Sequence, residues 1–179
     1  MKLLLVVWAS QTGGTLAMVE AFARGVTREV AGVSLRMLPA PLALPQDALG
    51  ADLLVFATPE NLASMAGAMK DFFDRSYYAL LDRCNGKPYS SLICAGSDGT
   101  GAERQLDRIA TGLRLRRVAQ SLIVNLEAQS PERILALKTL PPVAARRCEE
   151  LGATLAAGLA PVSCPRDICA CCRTAIAPI

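Results

Sequence analysis

Residues Lys2 to Thr15 read KLLLVVWASQTGGT: an apolar run through Trp8, then a hexamer of hydroxyls and glycines, SQTGGT, at 10–15. A continuous apolar run containing β-branched valines is the pattern of a parallel strand buried on both faces. From Thr15 onward, Leu16, Val19, Ala23 and Val26 recur at helical spacing. Strand, loop and helix in that order predict a first βα unit, with the hexamer at the carboxyl end of its strand.

The same grammar repeats along the chain. Gly32–Leu38 (GVSLRML) reads as a weaker second strand, and the three prolines of PAPLALPQDALGA then leave room for only a short helix or loop. Asp52–Thr58 (DLLVFAT) is a third strand, followed by the loop TPENLASM and a helix whose inner face is Met69, Phe72, Phe73, Tyr77 and Leu80, with Tyr78 outward. After the turn at Asn85-Gly86-Lys87-Pro88, Tyr89–Ala95 (YSSLICA) is a fourth strand, GSDGTG at 96–101 a loop, and Leu106, Ile109, Ala110 and Leu113 the inner face of a helix. Val118–Asn125 (VAQSLIVN) is a fifth strand. A last helix spans Pro141–Ala160, with proline in its first turn and Leu151, Leu155 and Leu159 inward. Five strands alternating with helices predict a doubly wound α/β parallel sheet with helices on both faces. Ligands of such sheets bind at the carboxyl ends of the strands, where SQTGGT, TPENLASM and AGSDGTG all lie, so the three loops are expected to converge.

Composition agrees with that architecture. Of 179 residues, 52 % are hydrophobic and only 4 % aromatic, which gives a core of Leu, Ala, Val and Ile. The formal charge of +3 is mild, and the one dense basic cluster, LRLRRV at 113–118, reads as a solvated helix end rather than a nucleic-acid stripe. No histidine is present, which excludes Ser-His-Asp and Cys-His catalysis and every histidine-bearing metal site. No apolar run approaches the roughly 18 residues that a membrane span needs. Met1–Ala9 could be read as a short secretory signal, but cleavage there would strip the glycine loop of its strand, so it is taken as the strand.

The loops suggest chemistry. SQTGGT offers tight backbone bends, a following helix N-terminus and the hydroxyls of Ser10, Thr12 and Thr15, and it lacks the lysine of a nucleoside-triphosphate loop. A monophosphate held by neutral donors fits it, and a plain capped strand-to-helix turn is the alternative. GSDGTG has the order G-x-x-G-x-G after the fourth strand, so it does not match a dinucleotide fingerprint, and by itself it is a glycine-rich turn.

Taken together, S-x-T-G-x-T after the first strand, TPENLASMAGAMKDFFDR after the third and CAGSDGTG after the fourth resemble the flavodoxin-like family. The likeness is closest to its NAD(P)H-dependent FMN reductase and quinone reductase branches, and it spans residues 1 to about 160. The resemblance implies strand order 2-1-3-4-5 and an FMN site with the phosphate in Ser10, Gln11, Thr12, Gly13, Gly14 and Thr15. It implies a flavin ring between Pro59 to Met65 on one side and Ala95 to Gly99 on the other, with Thr58, Pro59, Glu60, Asn61, Leu62, Ala95, Gly96, Ser97 and Gly99 as cofactor-binding residues. The implied activity is transfer of electrons from NADH or NADPH through the flavin to a quinone or similar small acceptor, with no protein residue as essential acid or base. A homo-oligomer is compatible with the resemblance, and a cytoplasmic location is expected from the missing signal and the nicotinamide partner.

Departures from electron-carrier flavodoxins are a slightly basic charge and a leucine, Leu62, where an aromatic would flank the ring. Trp8 lies within the first strand and is expected in the core. A single-electron carrier is nonetheless the alternative reading. A phosphorylatable receiver domain is set aside because Thr58, not aspartate, ends the third strand.

Seven cysteines complete the inventory. Cys84, Cys94 and Cys148 are isolated and read as small buried thiols. Cys164, Cys169, Cys171 and Cys172 crowd a tail, 161–179, beyond the expected flavin domain of 1–160. Their C-x-x-x-x-C-x-C-C spacing is unusual for zinc, and an inert tail, a thiolate metal or iron–sulfur site, a metal-responsive sensor and a redox or disulfide role all remain open.

Overall fold

The computed structural model describes residues 1–29 and 32–160. The chain forms β1 (Lys2–Trp8), α1 (Gly14–Glu29), β2 (Val33–Pro39), α2 (Pro45–Gly50), β3 (Leu53–Asn61), β4 (Ser64–Met65), α3 (Gly67–Leu80), β5 (Pro88–Ala95), α4 (Thr100–Gly112), β6 (Arg116–Arg117), β7 (Leu122–Asn125), α5 (Pro131–Leu135) and α6 (Pro142–Leu159). The sheet runs β2-β1-β3-β5 in parallel, and both β6 and β7 continue it beyond β5. Counted as five strand positions, this is the expected order 2-1-3-4-5.

Each central strand feeds two cores because successive side chains point to opposite faces. Leu4 and Val6 of β1 join Val55, Leu92 and Cys94 under α1 and α6. Leu5 and Val7 join Leu54, Phe56 and Ile93 under α2, α3 and α4. Both faces are covered, which is why these strands read as continuous apolar runs.

Several expectations shift in detail. The fifth strand is broken: Val118 still donates its N–H to Tyr89 O at 3.0 Å, then Ala119–Ser121 leave the ladder until Leu122. The polar Gln120 and Ser121 interrupt its apolar run, and the Ser121 hydroxyl sits 2.7 Å from that of Ser91. The segment after Thr58 is not an irregular loop. It extends β3 to Asn61 and turns through a hairpin into β4. On α3, Ser76 occupies the core position expected of Tyr77, which is 42 % exposed. The inner face of α1 is Met18, Val19, Phe22 and Val26, with Leu16 and Ala23 half-buried beside it. On α6, Cys148 and Leu155 are fully inside, while Leu151 and Leu159 flank the core. Trp8 is partly buried against the α1/α6 core, as expected.

Two glycines let α1 and α6 touch backbone to backbone. A Cβ on Gly25 would stand 1.9 Å from Glu149 O, and one on Gly152 would stand 2.2 Å from Phe22 O. Among the described residues no helix is long and apolar enough to cross a membrane. Cys84, Cys94 and Cys148 are buried free thiols, whereas Cys164, Cys169, Cys171 and Cys172 lie outside the described residues. The basic cluster is largely solvated, with Arg114 paired to Asp82 at 2.6 Å.

Candidate functional site

The carboxyl ends of β1, β3 and β5 open into one cleft of about 600 Å³. Ser10, Gln11, Thr12, Gly14 and Thr15 line it from the first loop, Pro59, Glu60, Asn61 and Leu62 from the β3–β4 hairpin, and Ala95, Gly96 and Ser97 from the end of β5. The three loops therefore do converge.

The first loop is shaped by its glycines. Gly13 has φ +86°, a left-handed conformation that penalises a side chain, and a Cβ on Gly14 would lie 2.6 Å from Cys94 Sγ. The chain can then enter α1 directly, with Ala17 N–H donating to Gly13 O at 2.9 Å and Leu16 N–H donating to Ser10 Oγ at 3.4 Å. Thr15 stands in the first turn, 1 % exposed, and its hydroxyl has the Cys94 thiol as its neighbour. Cys94 borders the same spot, and a thiol is only a weak partner for a hydroxyl. Burial pushes the Cys94 thiol up to about 11, against the pull of the Lys138 charge, so it is neutral at physiological pH.

Polar bonds tie the loops to one another. Asn61 Nδ2 donates to Gln11 Oε1 at 2.7 Å, joining the hairpin to the first loop. The Glu60 carboxylate accepts from Gly99 N–H at 2.7 Å, Gly101 N–H at 3.0 Å and Ala102 N–H at 3.3 Å, joining the hairpin to the N-terminus of α4. A carboxylate there is stabilised by the orphan amides and the helix dipole. Glu60 thus both lines the cleft and fixes its wall.

Three expected site residues stand behind the cleft. Thr58 is fully buried, its hydroxyl donating to Pro59 O at 3.0 Å and accepting from Ala66 N–H at 3.0 Å. Gly99, at φ +94°, gives its N–H to Glu60, and Gly13 makes the bend into α1. All three shape loops.

Residues outside the expected set also line the cleft: Ala63, Cys94, Leu126, Ala128, Ile134 and Lys138. Four of them belong to a strap that follows β7. Leu126 N–H donates to Ala95 O and Lys138 N–H to Thr12 O, each at 2.8 Å, so the strap binds both the β5 loop and the hexamer. Within it, Ser130 Oγ caps α5 by accepting from Arg133 N–H at 3.3 Å, with Pro131 in the first turn. Ser-Pro-Glu was the local signal for that helix start.

A parallel sheet in this order, with a cleft built by the loops after its central strands, defines a flavodoxin-like α/β protein. Solved structures share that fold: Flavodoxin 1 from Bacillus cereus superposes with a TM-score of 0.70 at 16 % identity, covering 89 % of this chain and 100 % of that one. A flavodoxin, WrbA-like protein from Agrobacterium tumefaciens gives 0.64 at 20 % identity, covering 89 % and 98 %. In sequence, the chain is 32 % identical over 99 residues to a flavodoxin of Aquifex aeolicus (strain VF5), covering 55 % of this chain and 53 % of that protein, so the match spans about half the relative's length. The model of the NADPH-dependent FMN reductase family matches residues 38–129, just over half of the chain, which belongs to that family.

Proposed function

We propose that the flavodoxin-like unit, residues 1–160, binds FMN in this cleft and works as an NAD(P)H-dependent reductase of a quinone or similar small acceptor. The observation that carries the reading is the convergence of three loops on one cleft, with Ser10, Thr12 and Thr15 lining it where α1 begins. A helix N-terminus with free amides and neighbouring hydroxyls is an anion-binding arrangement. The cleft's volume is within the roughly 300–1,000 Å³ usual for cofactor sites.

When bound, FMN would supply the two-electron chemistry by which NAD(P)H is oxidised to NAD(P)⁺ and a quinone is reduced to a hydroquinone. The chain's own part is to bind and orient. The α1 amides and the three hydroxyls hold the anionic end. The hairpin, clamped by Glu60, and the β5 loop form opposing walls for a flat ring. Gln11 and Asn61, bonded to each other, fix the distance between the phosphate loop and the hairpin.

An anaerobic absorbance experiment tests this: the protein is loaded with FMN and mixed with NADPH or NADH. Bleaching of the flavin bands supports the reductase, and absence of flavin binding overturns it. Unchanged FMN affinity in a Thr12→Ala, Thr15→Ala double variant would remove the phosphate assignment. The relatives named flavodoxins favour a second reading, a single-electron carrier, for which the bound flavin stays oxidised in the presence of nicotinamide.

A further inference from the structure

Lys138 is the one lysine lining the cleft, and it sits beside the hexamer through the strap, not through sequence. Its backbone N–H donates to Thr12 O at 2.8 Å, which anchors its Cα next to the loop. Its Cβ lies 3.3 Å from where a Cβ of Gly14 would be, so the side chain starts at the first residue of α1. Its ammonium rests on two carbonyls at the end of α5, Ile134 O at 2.8 Å and Ala136 O at 2.6 Å, and it makes no ion pair among the described residues. An ammonium has three donors, and two carbonyls use two of them.

Three features therefore line one cleft: the loop that opens α1, the Thr15 side chain in its first turn, and Lys138, whose stem starts beside Gly14 and whose ammonium is held at the end of α5 without a counter-charge among the described residues. A charge-assisted hydrogen bond to a phosphate oxygen is roughly twice as strong as one from a neutral donor. The Lys138 charge already reaches this corner, since it opposes the burial that raises the neighbouring Cys94 thiol.

We propose that Lys138 is the cationic phosphate contact of the flavin site and sets its preference for a phosphorylated flavin over the unphosphorylated one. The proposal rests on the FMN reading. The flexible four-carbon stem lets the ammonium leave the α5 carbonyls for the phosphate, and water can take its place on them.

The test is a fluorescence-quenching titration of the full chain with FMN and with riboflavin, on wild type, Lys138→Met and Lys138→Arg, at low and high salt. Lys138→Met is expected to weaken FMN by about ten- to a hundred-fold, the range for a charged hydrogen bond. Riboflavin affinity is expected to hold within about two-fold, and the salt dependence of FMN binding to shrink. Lys138→Arg keeps the charge and is expected to retain most of the preference. A melting curve on each variant shows that the fold is intact. If Lys138→Met binds FMN as wild type does, or loses both flavins equally as a mere staple of the strap would, the proposal fails while the FMN reading stands. If wild type binds neither flavin, the FMN reading fails and takes the proposal with it.

Discussion

The Glu60 carboxylate receives the backbone N–H of Gly99 at 2.7 Å, so a residue of the β3–β4 hairpin holds the loop that opens α4. With Gly101 and Ala102 as further donors, one side chain satisfies amides that α4 would otherwise leave orphaned. Glu60→Ala removes all of these bonds and is expected to cost about 1–3 kcal/mol of stability. It should also weaken flavin binding, because two walls of the cleft lose their mutual tie. Glu60→Gln, which can still accept through one oxygen, should recover part of both. Urea unfolding and flavin titration on the same samples check this; an unchanged unfolding midpoint in Glu60→Ala would remove the clamp.

The contact of α1 with α6 is set at Gly25 and Gly152. Gly25→Ala would drive a methyl to 1.9 Å from Glu149 O, a backbone atom that cannot swing away. Alanine normally favours a helix interior over glycine by about 1 kcal/mol. Here overpacking is expected to win, giving a net loss of about 1–3 kcal/mol. Gly50→Ala, where nothing stands within 4 Å, is the control. A thermal melt that falls for Gly25→Ala and not for Gly50→Ala confirms the close approach.

What was legible in the sequence was whatever is decided locally. The run through Trp8 and the SQTGGT hexamer specify a strand and a turn by their own residues, and their placement at the cleft follows from topology. Tyr77 was misplaced because helical spacing defines a stripe, and adjacent positions at its edge, Ser76 and Tyr77, are separated only by how α3 rotates on the sheet. The strap was illegible for a different reason. α5 is only five residues long, too short to display periodicity, and its hold on the site is a bond between Lys138 and Thr12, distant in sequence. Thr58, Gly13 and Gly99 stand in the same motifs as the lining residues, but their polar groups and bends serve the loops themselves.

Buried thiols make stability depend on alkaline pH. Burial pushes both Cys94 and Cys148 up to about 11, from an ordinary value of 9.0. Between those values the unfolded chain has released the protons and the folded chain retains them, so unfolding stability falls as pH rises. The loss should begin near pH 9 and level off above about 11, with no contribution at neutral pH. Urea unfolding across that window, on wild type and on a Cys94→Ala, Cys148→Ala double variant, isolates the effect, since the two chains differ only at those thiols. The double variant should show the shallower decline; equal slopes would mean that the thiols do not carry it.

The tip of the hairpin is strained in a way its sequence does not favour. Leu62 and Ala63 link Asn61 to Ser64 with φ of +51° and +57°, the left-handed pair that a two-residue hairpin turn requires. Asn-Gly is the usual solution, and leucine gains nothing by burial here, because Leu62 is fully exposed. Replacing the pair through Leu62→Asn and Ala63→Gly is expected to stabilise the chain by about 1 kcal/mol or more. Leu62 also lines the cleft, and under the proposed reading its exposed side chain would be free to pack on a bound ring. The same variant is therefore expected to bind flavin more weakly while melting at a higher temperature, the exchange of stability for function expected at a binding loop. A rise in melting temperature with unchanged flavin affinity would leave the strain without a role in the cleft; a fall in both would mean that the leucine supports the hairpin itself.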